Sequence, residues 1–215
     1  MISLIYIFSG YLLGSVLFSK LFGRIIKKID ITEDTIDNNP GSANAFKKGG
    51  FWVGFLGLTF DLLKGLFPVL CFVKFEPNLV NTMWTAFVVI APVLGHMYPL
   101  FFKFHGGKGI ATTFGVTLGL IPVSLNPVLI LICTYILFSV IVRINPTFYT
   151  TVFTYVTALI LNLIFTKNIY INLALAFLFF LGIFKMLISK EEKNKFKLSF
   201  LWFKIIKWGN DYGKI

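Results

Sequence analysis

Charge is what this chain lacks most. Asp, Glu, Lys and Arg make up 13% of its 215 residues, where soluble domains carry about 25%. Histidine is limited to His96 and His105, and the two cysteines, Cys71 and Cys133, both lie inside apolar runs. That scarcity argues against a disulfide framework and makes a His/Cys metal cluster implausible. The first apolar run has no basic leader and no small-residue cleavage site, and it is read as a retained span. Internal repeats and paired broken helices, the marks of many transporters, are missing as well.

What the chain has instead is apolar length. Hydrophobic residues account for 57% of it, and phenylalanine alone occurs 26 times. The mean hydropathy is +0.83. These runs do not alternate as barrel strands do, and a helix satisfies its own backbone in lipid. The expected fold class is therefore an all-α integral membrane protein. Seven transmembrane helices are predicted, at 2–22, 51–75, 79–101, 109–123, 125–142, 146–165 and 169–188. The fourth is shorter than the ~17 residues a span needs, and a re-entrant segment is its rival reading.

Charge bias separates those two readings. With seven crossings and the N-terminus outside, seventeen of the twenty basic residues fall on the cytoplasmic side, including every lysine from Lys185 onward. A re-entrant fourth segment would put Arg143 and the lysine-rich tail outside, against the positive-inside rule. The expectation is a membrane protein with its N-terminus outside, its C-terminus cytoplasmic and its basic loops on the cytoplasmic face. The net charge of +11 belongs to these loops, and no basic stripe for nucleic acid is present. Residues 1–190 are read as the membrane domain and 191–215 as a basic interfacial tail. Within the tail, "FKLSFLWFKIIKW" predicts a short amphipathic helix lying on the inner leaflet.

Three polar stretches meet that cytoplasmic face: Gly14–Ser15, "NNPGSAN" and "GHMYPLFFKFHGGKG". In the last, Gly106, Gly107 and Gly109 let backbone N–H groups approach a ligand, and Lys108 adds a cation where a helix begins. Such a seam suits a phosphate; the open alternative is a flexible hinge with Lys108 anchored at headgroups. It is not a Walker A loop, because Phe102 stands where the first glycine belongs and Gly109 where Ser or Thr belongs. His96 ends an apolar run, where an ionisable side chain is a functional candidate; an interfacial histidine bonded to a carbonyl is the plainer reading. Phe101 follows His96 at five residues, which excludes the His-x-x-x-x-Asp acyltransferases. Asn39, Ser42 and Asn44 occupy a Pro-Gly turn, able to hold polyol hydroxyls or simply to bond the backbone. Asp61 and Lys64 stand at i, i+3 inside a span, an ion pair read as support near the site. Together these point to an anionic, phosphorylated ligand beside lipid, hence to phospholipid metabolism.

"YLLGSVLFSKLFG", "NPGSANAFKKGG", "DLLKG" and above all "VLGHMYPLFFKFHGGKGIATTFGV" resemble the bacterial acyl-phosphate:glycerol-3-phosphate acyltransferases, the PlsY family, over about residues 6–120. The resemblance implies transfer of an acyl group from acyl phosphate to the 1-hydroxyl of glycerol 3-phosphate, giving lysophosphatidate with no metal or other cofactor. It implies catalytic roles for His96 and Lys108. Substrate-binding roles follow for Ser15, Asn39, Ser42 and Asn44 and for the backbone of Gly106, Gly107 and Gly109. Glycerol 3-phosphate, acyl phosphate and membrane lipids are the implied partners, and the inner (plasma) membrane, with the active site on its cytoplasmic face, is the implied location. The chain departs from the family pattern at Thr32 (arginine there), Asp37 and Pro146 (serines there), and it lacks a late histidine. Those departures keep two alternatives: an acyltransferase with another polyol-phosphate acceptor, and a non-catalytic paralogue that binds lipid or acyl phosphate.

Overall fold

The computed structural model describes residues 2–35, 37–190, 193, 196–200 and the backbone of 203–207. Helix α1 (Ile2–Gly14) breaks at Ser15 and resumes as α2 (Phe18–Phe22), which widens into a π turn at Gly23–Lys27. A polar loop leads to α3 (Ser42–Asn44), a second π turn, and the long α4 (Gly50–Phe75). Then follow α5 (Met83–Met97), α6 (Ile110–Gly119), α7 (Asn126–Ile136), α8 (Thr147–Phe165) and α9 (Ile169–Ile188).

Among the described residues, five helical stretches are long and apolar enough to cross a membrane: Ile2–Lys27, Ser42–Phe75, Met83–Phe102, Thr147–Phe165 and Ile169–Ile188. Ile110–Gly119 and Asn126–Ile141 are shorter apolar helices, at the places where the fourth and fifth spans are expected. Large apolar side chains point outward along these helices, among them Phe8 at 68% and Phe180 at 70% exposure. A surface of that kind fits lipid and not water.

The bundle closes by backbone contact as well as by side chains. Helix α4 packs along α6, α1 along α5, and α5 along α9. A methyl group at Gly115 of α6 would strike the Leu62 carbonyl, and one at Gly65 of α4 would press on the Thr112 carbonyl. Small residues at such crossings supply the close packing that drives helix association in lipid. Val69, Phe72, Val93, Met97, Val116 and Leu120 fill the resulting core, and the Tyr155 and Phe179 rings stack at 4.6 Å between α8 and α9. The turn into α9 is capped by Asn168, whose side-chain oxygen accepts from the Tyr170 and Ile171 N–H groups at 2.9 and 3.2 Å.

The tail corrects one expectation. Instead of an amphipathic helix, it forms β2 (Lys197–Phe200) and β3 (Phe203–Lys207) of a three-stranded antiparallel sheet with β1 (Ile144–Asn145). Ile144 faces Leu198, and Leu198 faces Ile206. The apolar pair Leu198 and Phe200 repeats at two residues, the strand period, and Phe200 interrupts the basic face a helix would need. Trp202 and Trp208 of the expected helix lie outside the described residues.

Candidate functional site

The break after α1 builds the floor of the site. With Ser15–Leu17 out of the helical ladder, the Val16 carbonyl turns to Lys64 of α4, whose Nζ donates to it at 2.7 Å. The same ammonium lies 2.8 Å from Asp61 Oδ1 and 2.8 Å from His96 Nδ1. Asp61 also accepts from the Ser19 hydroxyl at 3.3 Å. All of this is buried, with the Lys64 and Asp61 side chains 1% and 2% exposed. An ammonium only donates. A Lys64 proton directed at Nδ1 would put the His96 proton on Nε2 and make the ring a donor.

That Nε2 lies against Gly107, where a Cβ would collide with it. Gly107 N–H donates to the His96 carbonyl at 3.1 Å, and a Cβ on Gly106 would strike the same carbonyl. Gly106 and Gly107 thus seat the loop on His96; neither lines the cleft. Gly109 does line it, with φ at +79°, and it starts α6. From behind, Lys185 of α9 donates to the Met97 carbonyl at 3.0 Å and stands 4.3 Å from the Tyr98 ring centre.

The cleft itself measures about 520 Å³, and Asn39, Ser42, Asn44, His96 and Lys108 share its wall. Asp37, Lys47 and Lys48, none of them named as a site residue from the sequence, also line it; the Lys-Lys pair is the available signal. Lys108 Nζ pairs with Asp37 Oδ2 at 2.9 Å. Asp37 Oδ1 accepts from Asn44 Nδ2 at 3.1 Å and from the Asn39 N–H at 3.3 Å. Asn44 Nδ2 further donates to the Asn39 carbonyl at 2.8 Å. Burial alone would raise the Asp37 carboxyl, but Lys108, Asn44 and the Asn39 N–H hold it below the ordinary range. Among the described residues, no group of three or more His, Cys, Asp or Glu could hold a metal ion.

Ser15 is not on that wall. Its hydroxyl donates to the Tyr11 carbonyl at 2.8 Å and accepts the Leu100 N–H at 3.2 Å, tying α1 to the loop after α5. His105 sits in an exposed loop, bonded to the Lys103 carbonyl at 2.7 Å. Thr32 donates to Asp30 at 2.6 Å. Asp30 in turn pairs with Lys20 at 2.9 Å and Arg24 at 3.2 Å.

Residues 4–197 match the sequence model of a family described as glycerol-3-phosphate acyltransferase. A glycerol-3-phosphate acyltransferase of Pseudoalteromonas translucida is 40% identical over 136 residues, which cover 62% of this chain and 63% of that protein. Glycerol-3-phosphate acyltransferase 1 of Thermotoga maritima is 43% identical over 105 residues, 49% of this chain and 51% of that one. The chain thus spans less than two thirds of these curated relatives. A crystal structure of PlsY (YgiH), an integral membrane glycerol 3-phosphate acyltransferase in its glycerol 3-phosphate form, superposes with a TM-score of 0.76 at 27% identity. The superposition covers 86% of this chain and 88% of that one. Its lysophosphatidic acid form gives a TM-score of 0.72.

Proposed function

The chain belongs to the glycerol-3-phosphate acyltransferase family, and from that premise we propose that it moves an acyl group from acyl phosphate to the 1-hydroxyl of glycerol 3-phosphate. The observation that carries this reading is the shared cleft wall, where Asn39, Ser42 and Asn44 of the polar turn meet His96 of α5 and Lys108 of the loop before α6. The hydroxyl oxygen attacks the acyl carbonyl carbon, the bond from that carbon to the phosphate oxygen breaks, and inorganic phosphate leaves with the electron pair. A phosphate oxygen takes the hydroxyl proton. Lys108 and the first N–H groups of α6 offset charge on the departing phosphate. Asn39, Ser42 and Asn44 orient the acceptor.

His96 acts here as a donor, its Nε2–H stabilising the oxyanion that forms on the acyl carbonyl. The Lys64 contact at Nδ1 supports this division of labour. Gly106 and Gly107 serve by letting the loop close on His96, and Ser15 by bracing it. The fold sits in the inner membrane with seven crossings, the N-terminus outside and the cleft on the cytoplasmic side. The basic residues of the loops support that orientation.

The test is acyl transfer by the purified full chain given palmitoyl phosphate and labelled glycerol 3-phosphate, with Lys108→Ala as control. Lysophosphatidate made by the intact chain and not by the variant is expected. No product from correctly folded protein overturns the reaction, and a screen of other polyol phosphates then tells a changed acceptor from a non-catalytic binder.

A further inference from the structure

Asp37 takes no part in the proposed reaction, yet three of the groups assigned to substrate are bonded to it. Lys108 holds one carboxylate oxygen; Asn44 and the Asn39 N–H hold the other. Carboxylate and phosphate oxygens seek the same donors, and a charge-assisted bond to one is lost to the other. The cleft wall also carries Asp34, Lys47 and Lys48, while Asp61 is already paired with the buried Lys64, so Asp37 offsets part of the positive charge of the three lysines on the wall. A phosphate dianion entering that wall meets the Asp37 charge at close range, where like charges repel strongly.

We infer that Asp37 is an internal stand-in for phosphate, holding Lys108, Asn44 and Asn39 until a phosphorylated substrate displaces it, and so setting the affinity of the site for anions. The inference rests on the reading of the cleft as a phosphate site. The ordinary burial penalty on Asp37 is outweighed by its three partners, which keeps the carboxylate ionised and competing at neutral pH. Removing that charge leaves the same donors facing the ligand with one more net positive charge on the wall. The position therefore determines specificity: a carboxylate there penalises weakly bound anions and demands a ligand able to replace both of its oxygens.

The experiment is calorimetric binding of inorganic phosphate, and separately of glycerol 3-phosphate, to the full chain in detergent. Asp37→Asn, which keeps the shape, and Asp37→Ser are compared with the unaltered protein, each with and without Lys108→Ala. Both Asp37 variants are expected to bind phosphate roughly tenfold more tightly, and Lys108→Ala is expected to erase that gain. Equal or weaker binding in both Asp37 variants overturns the inference and makes Asp37 a ligand or a brace. Absence of phosphate binding in every form overturns it too. Acyl transfer is read on the same preparations. Tightening without lysophosphatidate from any form sinks the reaction and keeps the Asp37 role; turnover without tightening does the reverse.

Discussion

Replacing Lys64 with methionine tests how His96 is held. The lysine side chain is 1% exposed and serves three partners at once: Asp61 Oδ1, the Val16 carbonyl and His96 Nδ1. Without it, the Asp61 carboxylate is left buried with the Ser19 hydroxyl as its remaining hydrogen-bond donor. Breaking a buried pair from one side costs about 3–5 kcal/mol, and thermal unfolding in detergent should show a loss of that order. Turnover should fall by about 10²-fold, the cost of letting a reacting group drift by an ångström. The informative variant is Asp61→Leu with Lys64→Met. Removing both charges with apolar groups of similar volume is often neutral, so stability should largely return. Turnover should not, because Nδ1 still lacks its donor. Since His105 is the only other histidine, His105→Asn leaves a single ring whose ¹⁵N spectrum should show protonated Nε2 and bare Nδ1. Recovery of turnover along with stability, or a proton found on Nδ1, would refute the argument.

Other consequences are as direct. Gly107→Ala puts a methyl group onto His96 Nε2, so activity should collapse while the fold, followed by thermal unfolding, survives. Asn168→Ala removes the cap of α9 and should cost about 1 kcal/mol of stability with kcat unchanged. Asp30 is pushed up by burial but pulled well below the ordinary carboxylate range by Lys20 and Thr32. Its contribution to stability is thus complete above its unfolded value of about 3.9 and is lost as pH falls below that toward the folded value. Asp30→Asn should therefore lower the melting temperature at pH 7 and lose that difference in strong acid.

Much of this fold is readable from runs of residues because lipid demands about 20 apolar residues per crossing. Ile2–Lys27 and Ile169–Ile188 meet that demand and stand where expected. Ile110–Gly119 does not; it is held through the Gly65 and Gly115 contacts with α4, and nothing in its own length reveals them. The tail was misread because its strand partner, Ile144–Asn145, is two residues long and lies about fifty residues upstream. In the site, the Gly-Gly-Lys-Gly seam was legible as a unit, yet only Lys108 and Gly109 line the cleft. The glycines before them are there for the approach to His96. The Lys64–His96 contact spans 32 residues between two helices, and no local pattern encodes a distance of that kind.

Lys185 gives the chain a timetable. Its bond to the Met97 carbonyl joins the last helix to the turn directly after His96, roughly ninety residues earlier in synthesis. A ribosome has therefore delivered Lys64, His96 and Lys108 well before the lysine that steadies them arrives. A polypeptide halted after α8 carries every group named for the chemistry and lacks the clamp behind them. The Lys185–Met97 bond can form only once α9 has been made, so it is the last of these contacts to arrive.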